Sequence, residues 1–141
     1  MSGLQDLLVD LSALAQQAKQ LHWHVQGKDF RSVHLQIDEV VASARTYMDD
    51  VAERSVTLGV AVDGTPETVA KEHDLPPLPE AWVKDEEAVR LLADAVERVT
   101  RRGRKVIEET EDEPVTQDLA IQVVSGLEKH LWMLRAQLVK R

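Results

Sequence analysis

The stretch LHWHVQGKDFRSVHLQID, residues 21–38, separates two long helical patterns and contains the glycine between them. Before it, apolar residues recur every three or four positions over Leu4–Val25, and after it the same spacing runs over Phe30–Leu58. This spacing is typical of amphipathic helices. Gly27 is expected to end the first helix, and Asp29 is a candidate N-cap for the second. The sequence therefore predicts a helical hairpin at the start of the chain.

The second half of the chain returns to helical spacing after a proline-rich connection. Residues 60–82 hold four of the five prolines, and Gly59 stands just before them, where a left-handed helix C-cap is expected. A proline at a first helical position predicts one short helix over 66–72. Long helices follow over 83–110 and from Pro114 nearly to the end. We expect an all-α, antiparallel four-helix bundle whose long connection crosses the bundle, as in ferritin-like topologies.

Composition limits both the partners and the chemistry of the chain. With 141 residues it is expected to form one domain, residues 1–141. It carries 17 basic and 25 acidic side chains, and its net charge of −8 favours cations over nucleic acid. Because there is no cysteine, a metal must be held by His, Asp and Glu. The sequence contains no recognisable secretory signal or membrane span, so we expect a cytoplasmic protein.

Four ionisable residues share one face of the predicted second helix. His34, Asp38, Asp49 and Glu53 fall within about 100° of one another, beside the apolar stripe rather than opposite it. Each of the pairs His34–Asp38 and Asp49–Glu53 has the i,i+4 spacing that can hold one cation. Such ligands suit iron, manganese or zinc. A solvated helix face would give the same pattern, so both interpretations stay open at this point.

Helix length restricts how these residues can cooperate. His22 lies near the end of the first helix, and a turn through Gly27 can bring it close to His34. Asp49, however, lies roughly 22 Å further along the second helix, so one subunit cannot join both groups in one site. A two-fold axis across that helix would place the histidines of one chain against the carboxylates of another. The spacing therefore allows a metal site between subunits.

The same residues resemble the Dps miniferritin family, whose pattern is close to HWxxxGxxFxxxHxxxD, followed by DxxAER and LG. The residues that carry the resemblance are Leu21-His22-Trp23, Gly27, Phe30, His34, Asp38, Asp49, Ala52-Glu53-Arg54 and Leu58-Gly59. The segment Lys129–Leu134 is similar to the last helix of the family. The resemblance implies a ferritin-like bundle that assembles, through two-fold dimers, into a hollow shell of twelve subunits.

The resemblance also implies an activity and a site. Family members are ferroxidases that oxidise Fe(II), preferably with hydrogen peroxide, and store Fe(III) mineral inside the shell, which protects against oxidative stress. The matching positions place His22 and His34 in one subunit and Asp38, Asp49 and Glu53 in the other. These five residues are the candidate iron ligands and catalytic residues, with Glu53 as the principal one. Zinc or manganese could substitute for iron.

Further residues receive roles from their positions. Trp23, beside a ligand position, is a candidate for intercepting stray oxidising equivalents, although ordinary core or interface packing is the commoner reason for a tryptophan here. Lys19, one turn before His22, could pair with a site carboxylate. His24 should point away from His22 and is expected not to be a ligand, and His130 is expected to be structural.

Acidic residues near the start of the last helix resemble the iron-entry pore of the family. Asp118 is the best positional match, and Glu113 and Glu109 are weaker candidates. Carboxylates repeated around a three-fold axis would draw Fe(II) inward. The alternative is that negative charge simply favours a helix N-terminus.

Two rival functions stay open. The first is a nucleoid-associated protein that protects DNA. No basic arm flanks the helices, and the one dense basic run, over 101–105, lies in mid-helix, so we expect weak or absent DNA binding. The second rival is a bundle that binds zinc or manganese without redox turnover.

Overall fold

The computed structural model describes residues 2–139, which form four long helices, one short helix and two very short strands. The helices are α1 (Ser2–His24), α2 (Phe30–Thr57), α3 (Pro66–Glu72), α4 (Asp85–Glu109) and α5 (Pro114–Ala136), and the strands are β1 (Val25–Gln26) and β2 (Val83–Lys84). The predicted all-α four-helix bundle is confirmed. The short helix in the connection covers the residues predicted for it.

Two predicted helix boundaries are wrong for the same reason. The first helix was expected to include Val25 and the third long helix to begin at Val83. Instead, these two residues lie opposite each other in a parallel two-stranded pair. Both valines are buried, so the pairing satisfies the backbone groups of two segments that leave and enter helices in the core.

The turn between α1 and α2 depends on Gly27. Its φ of +134° is one that residues with a side chain rarely adopt. A Cβ at this position would also lie only 2.5 Å from Oδ2 of Asp85. That same oxygen accepts a hydrogen bond of 2.9 Å from the backbone N–H of Asp29. Asp29 is the N-cap residue of α2, as predicted, but its side chain makes no capping bond.

The crossover, residues 58–84, runs alongside α1 in the same direction. Gly59 begins it with a φ of +82°, as expected for a left-handed C-cap. Four contacts then follow in matching order along both segments. They are Gln5 with Asp63, Asp10 with Asp74, Gln17 with Pro76, and Val25 with Val83. As a result α4 begins beside the start of α2, so these two helices run parallel while each helical hairpin is antiparallel.

The long helices enclose one cluster of buried apolar side chains. α1 contributes more of the largest fully buried side chains than any other helix, namely Leu4, Leu7, Leu11, Leu14 and Leu21. α1 contacts α2, α3 and α4, which explains why it has few exposed positions. Over residues 2–139, no helix is both long and apolar enough to cross a membrane.

One carboxylate is buried where α1, α4 and the crossover meet. Asp10 is 1% exposed and accepts hydrogen bonds from Nε of Arg102 and from the backbone N–H of Asp74, each at 3.0 Å. Arg102 also contacts Asp6 at 3.3 Å, but that carboxylate is half exposed. Asp10 therefore links three segments of the bundle through one side chain.

We expect Asp10→Ala to lower the free energy of unfolding by about 2–3 kcal/mol, because it leaves the backbone N–H of Asp74 without its acceptor and Arg102 with only the half-exposed Asp6. Asp6→Ala removes an exposed partner of the same arginine and should cost less than about 1 kcal/mol. Urea denaturation followed by circular dichroism, at one protein concentration, measures both. Equal losses in the two variants would contradict this role of Asp10.

Candidate metal centre

His22 and His34 hold each other in place through their backbones. Nδ1 of His22 donates to the carbonyl oxygen of His34 at 2.8 Å, and Nδ1 of His34 donates to the carbonyl oxygen of His22 at 2.7 Å. Because a carbonyl can only accept, the proton of each neutral ring lies on Nδ1. Both Nε2 atoms therefore keep a free lone pair, which is the arrangement of metal-binding histidines.

The two rings also stack. Their centroids lie 3.7 Å apart with an interplanar angle of 14°, and Phe30 stacks on the other side of His34 at 4.9 Å. The Gly27 turn creates this stack, because it folds the last turn of α1 onto the first turn of α2. His22 is only 9% exposed, so one side of the pair is closed to water.

Asp38 lies at the same end of the bundle as the histidines. Its Oδ1 is 2.6 Å from Nζ of Lys19, which confirms the pairing of Lys19 with a site carboxylate. That hydrogen bond is the main reason why the pKa of Asp38 is lowered, and the charges of Lys19 and Arg45 act in the same direction. The resemblance grouped Asp38 with Asp49 and Glu53, whereas its contacts in the structure are with the histidine end of its own chain.

Asp49, Asp50 and Glu53 form a second cluster, two thirds of the way along α2. A carboxylate oxygen of each lies within 4.8 Å of the others, and all three side chains are exposed. The negative charge of Asp49, together with the hydrogen bond that Asp49 accepts from the protonated Glu53 carboxyl, raises the pKa of Glu53. A cation bound here would relieve the repulsion. Asp50 was not predicted, although its i,i+3 spacing to Glu53 was a usable signal.

Within one chain the two groups remain separate. α2 is one continuous helix from Phe30 to Thr57, so His34 and Asp49 stay roughly 22 Å apart along it. Among residues 2–139, the acidic cluster is the only group of three or more potential ligands within bonding reach of one cation. The structure thus brings His22 together with His34, and Asp49 together with Glu53, but does not join the pairs.

The candidate pore residues have different surroundings. Asp118 is exposed, accepts a hydrogen bond from Gln122 at 2.8 Å, and lines a shallow depression of about 350 Å³ that Glu53 also lines. Glu113 caps α5 through the N–H of Val115, as the helix-terminus alternative requires, and contacts Arg54 at 3.5 Å. Glu109 lies 4.0 Å from Lys105.

The remaining singled-out aromatic and histidine side chains lie apart from these clusters. Trp23 is 59% exposed beside His22. His24 contacts Gln20 and packs against Trp82, away from the histidine pair. His130 forms a 2.8 Å hydrogen bond with Ser43, and burial lowers its pKa.

The basic run of α4 is engaged within the chain. Each of its four charged side chains contacts at least one carboxylate. The pairs are Arg101 with Glu97, Arg102 with Asp6 and Asp10, Arg104 with Glu128, and Lys105 with Glu109. Little unpaired positive charge is left on this surface.

Comparison with known proteins agrees with this arrangement of helices. The ferritin-like domain family matches residues 1–141. A protein from Mycolicibacterium smegmatis named "DNA protection during starvation protein" is 36% identical over 140 residues, which cover 96% of this chain and 74% of the relative. The chain belongs to the Dps family of ferritin-like proteins. A solved Dps structure from Microbacterium arborescens, described as the high iron form, is similar to this chain with a TM-score of 0.95 at 28% identity. The match covers 99% of this chain and 91% of the Microbacterium chain.

The lengths of the Dps relatives differ from that of this chain. "DNA protection during starvation protein 2" of Deinococcus radiodurans is 30% identical over 135 residues, covering 95% of this chain. The chain spans only 56% of the length of that relative. The similarity therefore concerns the helical bundle.

The raised pKa of Glu53 gives a test of the acidic cluster. Tb(III), a hard cation that prefers oxygen ligands, should bind there and lose affinity as the pH falls through that pKa, because a proton competes for the same carboxylate. In Asp49→Asn the pKa of Glu53 falls, so the loss should begin at lower pH, while binding weakens at every pH. Tb(III) luminescence titrations measure both effects.

Asp118→Asn serves as the matched control, since it removes one nearby carboxylate outside the cluster. It should leave the pH dependence of the parent unchanged. Identical pH dependence in the parent and in Asp49→Asn would contradict the coupling between Asp49 and Glu53.

Proposed function

We propose that this Dps family member is a ferroxidase that oxidises Fe(II) with hydrogen peroxide at sites between two subunits and stores the Fe(III) product. The reciprocal bonding of His22 and His34 is the observation that carries the proposal. It fixes two Nε2 lone pairs side by side, and among residues 2–139 no carboxylate of the same chain joins them in a closed site. The missing ligands match the exposed pair Asp49 and Glu53.

A two-fold axis across the middle of α2 would complete the site. Two antiparallel copies of α2 would set the histidines of each chain against Asp49 and Glu53 of the other, giving two equivalent sites per dimer. The surfaces suit this pairing, since an exposed carboxylate cluster would face two neutral imidazoles. We propose that Asp38, already bonded to Lys19, contributes negative charge beside the site rather than a principal bond to iron.

The ligand types favour oxidation of the substrate ion. Carboxylates are hard ligands that stabilise Fe(III) more than Fe(II), so they lower the barrier to electron loss. Two Fe(II) ions each give up one electron, and hydrogen peroxide accepts both, together with two protons, to form two molecules of water. Reduction by two electrons avoids the hydroxyl radical that a single electron would produce. We propose that Trp23, which is exposed beside His22, intercepts an oxidant that escapes.

Storage requires a closed assembly, and we propose the dodecameric shell of the family. Twelve chains of 15.8 kDa give about 190 kDa. Asp118 is the preferred pore residue, because its side chain is exposed and makes no ion pair among residues 2–139. Glu113 is better explained as the cap of α5 and the partner of Arg54.

DNA binding is a weaker candidate function for residues 1–141, although several relatives are named for DNA protection. Affinity for DNA depends on unpaired Lys and Arg that can neutralise phosphates. The run over 101–105 is paired with carboxylates. We therefore propose that iron chemistry is the main function and that the bundle itself binds DNA weakly.

The activity is tested by anaerobic loading with Fe(II), followed by a pulse of hydrogen peroxide and a sizing column. We expect rapid Fe(III) absorbance and soluble iron that elutes with protein at about 190 kDa. Asp49→Asn with Glu53→Gln should abolish rapid oxidation and keep the assembly. Glu67→Gln with Asp94→Asn, which removes two exposed carboxylates elsewhere, should behave like the parent. Bound metal that stays reduced would favour the zinc- or manganese-binding bundle instead.

The location of the site between subunits gives a separate prediction. Chains with His22→Gln and His34→Gln, and chains with Asp49→Asn and Glu53→Gln, should each be inactive alone. When the two are co-expressed in equal amounts, half of the two-fold pairs contain one chain of each kind, and each mixed pair has one intact site. We expect about a quarter of the parental rate. A mixture as inactive as its components would contradict a shared site.

A further inference from the structure

Arg45 is an exposed arginine in the middle of α2. It forms no ion pair with any residue in the described range 2–139, not even with Asp49, four residues ahead on the same helix. Most other arginines in that range are paired, several of them on equally exposed surfaces. Its position on the face that carries His34 and Asp49 indicates a partner outside the chain.

The register of the proposed two-fold pairing identifies that partner. If His34 of one chain faces Asp49 of the other across antiparallel copies of α2, then moving four residues inward on each helix sets position 38 against position 45. Around α2, with His34 at zero, Asp38 lies at about 40°, Arg45 at about 20° and Asp49 at about 60°. Asp38 and Arg45 therefore lie on the line of contact between the two copies.

We propose that Arg45 of each chain binds Asp38 of its two-fold partner, so that two symmetric ion pairs lie on either side of the axis. This inference rests on the proposed function, because it takes its register from the shared site. It assigns Asp38 to the interface, between its own Lys19 and a second cation from the other chain.

The surroundings of Asp38 suit a second cation. Oδ1 is taken by Lys19, while its side chain remains 46% exposed, which leaves Oδ2 available. Ala42, between Asp38 and Arg45 and closest to the axis, is small and exposed, so the two helices can approach closely. The guanidinium of Arg45 from the other copy can then donate a charge-assisted hydrogen bond to Oδ2 of Asp38.

These ion pairs would set the alignment of the shared site. A shift of α2 past its copy by one helical turn, about 5.4 Å, would separate both ion pairs and would also take Asp49 away from the histidines. Arg45 is thus a positioning residue that acts on the histidine–carboxylate geometry through the helix register. It does not touch the substrate.

Complementary charge reversal tests the pairing. In Arg45→Glu chains, the introduced carboxylate would face Asp38 of an identical copy, and in Asp38→Arg chains, the introduced guanidinium would face Arg45. Each homomer should assemble at least ~10-fold more weakly than the parent. When the two variants are co-expressed with different affinity tags, each mixed pair has one contact between two unlike introduced charges and one between the two native ones, and both are attractive. We expect the mixture, unlike either variant alone, to assemble as readily as the parent.

Arg101→Glu provides the matched control, since it makes the same two-unit change of charge on α4 and should assemble with itself as the parent does. Arg45→Glu alone should regain assembly near 1 M salt, where charge repulsion is screened to about 3 Å. Because this second measurement uses Arg45→Glu alone, it tests the proposal even if Asp38→Arg fails to fold. Homomers of Arg45→Glu that form as readily as the parent at low salt would overturn the proposal.

The readout is subunit pairing, so it is independent of iron oxidation. Selective mixed pairing without any peroxide-driven oxidation would support the interface and reject the proposed function. Oxidation restored when the histidine variant and the carboxylate variant of the proposed site are co-expressed, together with unimpaired assembly of Arg45→Glu, would support the function and reject the ion pairs.

Discussion

The rise of α2 is the constraint on which the candidate site depends. A straight helix keeps His34 and Asp49 roughly 22 Å apart, however the rest of the chain packs. Hydrogen bonds from Nδ1 to backbone carbonyls orient both histidines and leave Nε2 free to bind a metal. The carboxylates form a separate cluster. Each chain thus presents two half-sites at fixed separation, and antiparallel pairing of two chains would join both at once. The proposed function follows from this division more than from any single residue.

Contacts within the bundle hold α1 and the Gly27 turn in place. The crossover contacts α1 at successive points along its length, and the buried Asp10 ties both to α4. Asp85, at the start of α4, binds the N–H of Asp29 next to the turn. Because His22 lies at the end of α1 and His34 at the start of α2, these contacts hold the two rings in register. The packing of the core and the geometry of the site therefore both depend on the Gly27 turn.

Much of this arrangement could be predicted from the sequence. Regular apolar spacing located the long helices, and Pro66 and Gly59 located the short helix and the end of α2. The two strands could not be predicted, since two residues are too few to show a period of two. Asp10 was missed because a single acidic residue in a helix looks the same whether it is exposed or buried beside an arginine. The position of Lys19 predicted a pairing with a site carboxylate but not which one, because that depends on where its side chain reaches.

The most direct measurement is diffraction from crystals soaked anaerobically with Fe(II), recorded on both sides of the iron absorption edge. We expect at least one anomalous peak per chain, bounded by Nε2 of His22 and His34 and by Asp49 and Glu53 of the two-fold partner. Asp38 should remain bonded to Lys19 beside that peak. Iron bound by residues of a single chain, or held by the acidic cluster with the histidines of every other chain out of reach, would contradict the account.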